Sequence, residues 1–592
     1  MQRAIAVLSA LACLAVLLSA CGGSRPSVEP AQVTVEVPVV ETVIVRETRE
    51  IERTVVVTAT PEPTPAYASK LKTEPGVLVF PLVAEPRSLD PQHTGDEQSD
   101  TVVQQLYEGL FSLQADGSIK PAAAVDYAVS GDGKTVTVTL RSGLTWSDGA
   151  PVTAEHYVDG VCRLLDPRMG NAYYYLLSEV AGISGAHDYA VGETVDCARV
   201  GVAALDVSTL VLSLNAPVAY LPQILATKHF LPVRSDLLEA ESLAGALVGN
   251  GPYLLADWQP GQRLVLAKNS HYWDSANVTI DRIELPIIPR VGEQFERFLQ
   301  GELAVAAFPA QETARIVADP ILSGELQVLV QPGISYLGLN TQYGPTASVE
   351  VRRAIASAID REALVNMVLR QPWHVTANTV IPPGIPGYQG QDPTMGYPYN
   401  PDAARQFLSQ AGYAPDNPPP AIDLWFNHEG NNPILFAAIS EMLESVGIPV
   451  RSVSSSWDVF LNSLNACNKP NVASARQGPG ECTYGVYRMG WVLDYADASS
   501  ILGTVFSPRS AFQYTGWVSG QFDELLASAS LEQGEQQRLD LYRQAERLLV
   551  NEEVAVIPLM YYDRTLLVKA GLTFEFPPFG APSFRDWRLP GS

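Results

Sequence analysis

Ser130-Gly131-Asp132-Gly133-Lys134-Thr135-Val136-Thr137-Val138-Thr139-Leu140 reads as a tight turn feeding a strand of alternating β-branched residues. Further along, Leu210-Val211-Leu212-Ser213-Leu214 is a second strand, stopped by Asn215-Ala216-Pro217. Helices follow. Arg352–Arg370 sets Ile355, Ile359, Val365, Val368 and Leu369 on one face. Asn400-Pro401-Asp402-Ala403-Ala404-Arg405 opens another helix, with an N-cap and proline at its first position, and Gly412 closes it. Gln536–Val550 predicts a third, with Leu539, Tyr542, Leu548 and Leu549 as its apolar residues. Strands and helices interleave without a repeat period, so the fold class is α/β.

The chain starts with a different kind of segment. Arg3 precedes an uncharged run from Ala4 to Ala20, the layout of an export leader. Leu18-Ser19-Ala20-Cys21 resembles the bacterial lipobox, in which the cysteine is acylated and becomes the mature N-terminus. Residues 1–20 are therefore expected to be a lipoprotein signal peptide, with lipid on Cys21. The alternative is a transmembrane anchor at the short edge of spanning length. Residues 21–75 read as a lipidated start and a tether, Val- and Thr-rich in the middle and ending in Pro61-Glu62-Pro63-Thr64-Pro65.

Bulk composition narrows the partners. The net charge of −25 becomes one unit more negative once Arg3 is removed with the leader. Such a body is repelled by nucleic acid and by anionic headgroups, so the membrane is expected to be met through the N-terminal lipid alone. A content of 46% hydrophobic and 17% charged residues suits a folded globule, and 592 residues call for several folding units. Beyond Cys13 in the leader and Cys21, four cysteines remain: Cys162, Cys197, Cys467 and Cys482. They allow three pairings. The local one, Cys162–Cys197 with Cys467–Cys482, closes the Pro-, Gly- and Asn-rich segment between the latter two, a loop whose closure is worth roughly 3 kcal/mol. A four-cysteine metal site lacks C-x-x-C spacing.

No catalytic motif stands out. H-E-x-x-H and G-x-S-x-G are both missing, and histidines such as His93, His156, His271 and His428 are scattered singly. Asp494 and Asp497 form an acid pair, but glycoside chemistry depends on separations that sequence spacing does not give. Neither a cofactor nor a metal is expected.

A series of ordered strings carries more information. They are Glu85-Pro86-Arg87-Ser88-Leu89-Asp90-Pro91, Tyr107-Glu108-Gly109-Leu110, Leu140 to Gly149 with Pro151-Val152-Thr153-Ala154, and Leu164-Leu165-Asp166-Pro167. Asn250-Gly251-Pro252-Tyr253, Lys268-Asn269 with Tyr272-Trp273-Asp274, Val351 to Ile355, Ala358 to Arg361, Gly490-Trp491, Asp494-Tyr495 and Ile557-Pro558-Leu559 continue the series. Over residues 76–590 this resembles the extracellular solute-binding proteins of family 5, the peptide-capturing lipoproteins of ABC importers. Asp148 to Pro151 also reads as a turn with an exposed acid, and Asn269 with Tyr272 and Trp273 as an aromatic corner.

The resemblance implies a two-lobed periplasmic-binding-protein fold (type II, the large cluster with an extra subdomain) and a ligand in the interlobe cleft. Lobe I would comprise residues 76–107, 242–333 and 562–592, with 108–241 as its subdomain, and lobe II residues 334–561. By the same resemblance Asp494 would hold a peptide's α-ammonium group and Arg488 would assist with a carboxylate. This pair suits a zwitterion. Gly490 allows close backbone approach, so the ligand could add as a strand. Trp457, Trp491 and Tyr336 match aromatic pocket positions, although a core role suits them equally. Two departures bear on the carboxylate end. Gly95 stands where some relatives have a ligand-contacting glutamate, with Asp96 and Glu97 just beyond, and Asn432 stands where some have histidine.

The expected activity is therefore non-catalytic. A monomer held outside the cytoplasm, at the periplasmic or cell-surface face of the membrane, captures a peptide or peptide-like solute and passes it to an ABC permease. Alternatives are another cargo on the same fold (a metal chelate, an oligosaccharide or an opine) and a surface hydrolase or sensor.

Overall fold

The alternation in Thr135–Leu140 produces the predicted strand, with Val136, Val138 and Leu140 buried beneath an outer row of threonines. It is the second strand of a four-stranded antiparallel sheet ordered Ala124–Val129, Thr135–Leu140, Thr209–Ser213, Val202–Asp206. The computed structural model describes residues 67, 70–114, 117–171, 173–237, 247–369, 371, 373–390, 392–467, 483–508, 510 and 512–590, together with 38–39 and 53–54. The leader, Cys21, almost all of the tether and Cys482 lie outside the described residues. The chain divides into a unit of residues 1–66, in which Pro38–Val39 pairs antiparallel with Arg53–Thr54, and a unit of residues 67–592. Among the described residues no helix is long and apolar enough to cross a membrane.

Within the large unit, a second four-stranded sheet has the order Tyr253–Gln259, Arg263–Lys268, Arg282–Pro286, Val77–Val79. A mixed six-stranded sheet has the order Val305–Ala306, Val556–Val568, Leu326–Leu339, Tyr484–Val492, Ile422–Asn427, Val450–Ser455. Ile422–Asn427 runs parallel to both its neighbours, which requires crossover connections, and the helix Asn432–Ser445 supplies one of them.

Two long strands, Leu326–Leu339 and Val556–Val568, pair antiparallel along most of their length. Their register jumps from Gln331↔Tyr562 to Ile334↔Tyr561, so Pro332 and Gly333 bulge. Pro332 has no N–H to give to the ladder. A Cβ on Gly333 would come within 2.7 Å of the Tyr562 ring. The hydrophobic cores change at this bulge. Two clusters draw on residues up to Leu326 and from Leu566 onward, joined by Tyr495; the other two draw on residues between Ile334 and Tyr561, joined by Phe579.

The predicted helices are found, with one correction. Pro401–Gln410 is capped by the Asn400 side chain, which accepts from the Ala403 N–H at 3.0 Å, and Gly412 adopts φ +88° after it. Glu535–Arg547 continues into the π-helical turn Leu548–Glu552. The helix expected over 352–370 is broken instead. Val349–Ala358 stops at extended Ile359, and Asp360 caps a new turn by accepting from the Ala363 N–H at 2.9 Å. Apolar periodicity runs through the break because both pieces pack on one core, which contains Ile355, Ile359 and Val365. The Cys162–Cys197 disulfide is present, with 5.8 Å between its Cα atoms. Cys467 is buried and disulfide-bonded.

Glu546 is fully buried; it accepts the N–H groups of Val380 (2.6 Å) and Ile381 (2.9 Å) and the Gln389 amide (3.0 Å). Burial outweighs these bonds and pushes its pKa up to about 7. The unfolded chain ionises this group at lower pH than the folded one. Its contribution to stability is therefore full below the ordinary glutamate range and declines until pH passes about 7, a loss on the order of 3 kcal/mol. Glu546→Gln is expected to flatten the fall in melting temperature between pH 4.5 and 7.5. An unchanged pH profile in that variant would contradict the assignment.

Candidate functional site

Where the Tyr484–Val492 strand ends, successive side chains are pinned in different cores. The Leu493 N–H bonds the Pro332 carbonyl at 2.9 Å and its side chain packs in one core. Tyr495 packs in another, stacked on Tyr220 with ring centroids 5.6 Å apart. Asp494 lies between them and borders a cavity of about 240 Å³. The cavity is walled by the Glu97–Leu106 helix and the chain after it, by residues 223–231, by 493–496 and by a C-terminal segment from Glu575 to Asp586.

Tyr175, which precedes the π-helical turn Leu176–Val180, donates its hydroxyl to Asp494 Oδ2 at 2.6 Å. Leu176 and Leu177 are fully buried and fix that turn. The Asp494 backbone N–H donates to Ser500 Oγ at 2.9 Å. Burial raises the Asp494 pKa above the usual carboxylate range, opposed by the Tyr175 hydroxyl and the nearby Lys228 charge. Lys228 itself is committed elsewhere, with Nζ 2.6 Å from both oxygens of Asp100. Beside it, burial and the Lys228 charge push the His229 pKa down to about 3, so His229 is a neutral ring stacked on Tyr173, centroids 4.6 Å apart.

Of the other acids on the wall, Asp100, Glu108 and Asp586 have basic partners, while Glu575 is exposed and has no ion pair among the described residues. Glu108 takes hydrogen bonds from Tyr272, from Trp273 Nε1 at 2.7 Å and from Arg585 at 3.3 Å. Asp586 pairs with Arg585 at 2.9 Å. Asp494 has no ion-pair partner among the described residues. Its neighbour Asp497 is spent on structure: it accepts from Tyr542 (2.7 Å) and from the Ser499 N–H (2.9 Å) and hydroxyl (2.7 Å). The two acids read as a pair thus separate into one that holds a turn and one that faces a cavity.

The remaining candidates lie outside the lining of this cavity. Arg488 donates to the Tyr562 hydroxyl at 3.1 Å, and a Cβ on Gly490 would strike that same hydroxyl at 1.8 Å. Trp491 packs on Phe512 (4.9 Å between centroids), and Tyr336 is fully buried against Phe506 (5.4 Å). Glu97 pairs with Arg564 at 2.5 Å. Asn432 opens its helix and donates to Asn427 at 3.0 Å, while Trp457 is 39% exposed with its backbone N–H donating to Glu429. The aromatic corner is as expected, with Asn269 bonding the Gly251 carbonyl and its neighbours Tyr272 and Trp273 holding Glu108. Tyr175, Lys228, Asp100 and Glu108 were not among the expected site residues. The run Tyr173-Tyr174-Tyr175 was the available signal, three rings with polar tips suited to a wet cleft.

Two bodies joined by long shared strands, with a cavity bordered by segments of both, define a two-lobed α/β binding protein. Residues 118–513 match the model of the bacterial extracellular solute-binding proteins, family 5 (middle region), and the chain belongs to that family. It is 29% identical over 506 residues to the periplasmic murein peptide-binding protein MppA of Escherichia coli, covering 84% of this chain and 89% of that one. It is 28% identical over 511 residues to the oligopeptide-binding protein OppA of Bacillus subtilis, with the same coverage. The solved structure of MppA in its unliganded open form superposes with a TM-score of 0.74 at 27% identity, covering 89% of this chain and 99% of that one.

Proposed function

We propose that this protein is the substrate-capturing component of an ABC importer, and that its solute is a peptide or peptide-like molecule whose free α-ammonium group pairs with Asp494. The observation that carries this reading is the state of Asp494. It is a carboxylate desolvated beside a cavity, oriented by Tyr175 and without an ionic partner among the described residues. A ligand ammonium supplies the missing charge and completes a charge-assisted hydrogen bond. Family membership and the peptide cargo of the relatives named above support the same reading.

Lobe I (76–107, 242–333, 562–592, with its subdomain 108–241) and lobe II (334–561) move about the Pro332-Gly333 bulge, and ligand contacts from both favour the closed form. The likeness to an unliganded open form supports a cleft that opens and closes. Lipid on Cys21 and the tether keep the monomeric clamp close to its permease, outside the cytoplasm, which raises its effective concentration there.

Calorimetric titration with tri-alanine at varied pH tests the reading. The free Asp494 pKa is raised, and a bound ammonium pulls it down, so the complex holds fewer protons. Affinity is therefore expected to be full above the raised pKa and to fall as pH drops through it, beginning above the ordinary carboxylate range. It declines again as the peptide amine loses its proton near pH ~8. A profile in acid that matches that of Asp494→Asn would refute the proposal.

A further inference from the structure

The C-terminal segment Phe574–Phe584 crosses between the two sets of cores. Its mounts belong to the first body. Phe574 and Phe576 pack on Trp587, at 5.9 and 5.3 Å between centroids, and Thr573 and Arg588 exchange backbone hydrogen bonds at 2.9 Å. At the other end, fully buried Gln105 donates to the Pro582 carbonyl at 2.7 Å and accepts from the Phe584 N–H at 2.9 Å. Pro577 and Pro578 restrict the backbone between these mounts, and Gly580 turns it at φ +71°. The tip, Phe579, packs against the core of the second body and also lines the cavity that Asp494 borders. A rigid strap thus holds one ring at the junction of both bodies and the cavity.

We propose that Phe579 is a specificity-determining residue that receives the side chain of the ligand's first residue, favouring peptides that begin with a bulky apolar residue. This rests on the assignment of the ammonium site to Asp494. A cavity of about 240 Å³ is smaller than the roughly 300–1,000 Å³ of ordinary ligand pockets, so it suits one side chain rather than a whole peptide. An ammonium held at Asp494 places the adjoining side chain in that space. There Tyr107, Phe111, Leu231 and Phe579 offer apolar surface. A large first side chain excludes water from the cavity and supports Phe579 where it meets the second body, so occupancy also favours the packed arrangement. A glycine in first position leaves the space to water and gains none of this.

The test is calorimetric titration of the full mature chain with Phe-Gly-Gly, Gly-Gly-Gly and N-acetyl-Phe-Gly-Gly. Wild type is expected to bind Phe-Gly-Gly about tenfold or more tightly than Gly-Gly-Gly, the scale of burying one large apolar side chain. Phe579→Ala is expected to bring the two within about threefold by weakening the first alone, and Phe579→Leu to fall between. Equal binding of the two peptides by wild type, or a ratio that survives Phe579→Ala, overturns the proposal. Acetylation separates it from the reading beneath it. If the acetylated peptide binds as well as the free one, the Asp494 assignment fails; if acetylation abolishes binding while the ratio is insensitive to Phe579, only the strap assignment fails. Binding of none of the three overturns both.

Discussion

Asp494→Ala is expected to weaken the binding of a free-amine tripeptide by about 2–5 kcal/mol, or about 30-fold to several thousandfold. The size follows from burial. In the proposed complex the ligand ammonium sits in a cavity whose other carboxylates are either paired with Lys228 or Arg585 (Asp100, Glu108 and Asp586) or exposed to solvent (Glu575). Removal of Asp494 leaves that ammonium desolvated and unpaired, which costs more than the net worth of the pair. The Tyr175 hydroxyl also loses its acceptor. Folding should suffer little, because the Asp494 side chain has no ion-pair partner among the described residues and its burial already opposes its charge. Titration calorimetry measures the first effect and thermal melting the second. An affinity within about threefold of wild type would remove Asp494 from the site.

Trp587→Ala is expected to destabilise the body that carries the strap by about 3–5 kcal/mol, a large share of ordinary domain stability. Trp587 is fully buried, with Phe584 at 4.8 Å, Phe576 at 5.3 Å, Phe574 at 5.9 Å and Phe80 at 6.1 Å between centroids. Its indole N–H donates to the Glu575 carbonyl at 3.1 Å, so truncation opens a cavity and leaves an acceptor without its donor. Trp587→Phe keeps most of the packing and should lose less. Because the strap hangs from this cluster, Trp587→Ala should also erode the preference for a large first side chain in whatever fraction remains folded. A melting temperature unchanged from wild type would contradict this account of the cluster.

What was legible in the sequence was local. Thr135–Leu140 gave its strand because one face alternates cleanly, and Asn400-Pro401 gave its helix start because the cap and the proline act within one turn. The break after Ala358 was hidden, since Asp360 is an ordinary helix residue by pattern and acts as a cap only where Ile359 is already extended. Asp494 was singled out through its motif, but what sets it at a cavity without an ion pair among the described residues is tertiary. Tyr175 reaches it from 319 residues away, and Lys228 is drawn off by Asp100. Glu108 stood in a quoted string, yet nothing in Tyr107-Glu108-Gly109-Leu110 tells that Tyr272, Trp273 and Arg585 converge on its carboxylate. Arg488 was placed by resemblance, and the structure occupies its guanidinium with Tyr562, a partner 74 residues on that periodicity does not reveal.

The claim at the centre is that a buried, unpaired carboxylate captures a free amine. Titration of unmodified protein with tri-alanine and with N-acetyl-tri-alanine, at neutral pH and in one buffer, examines it without any mutation. Saturable binding of the free peptide, with at least about a hundredfold loss on acetylation, is the expected result. Equal affinity for the two would mean that Asp494 does not hold an ammonium group, and that the cavity beside it serves some other solute.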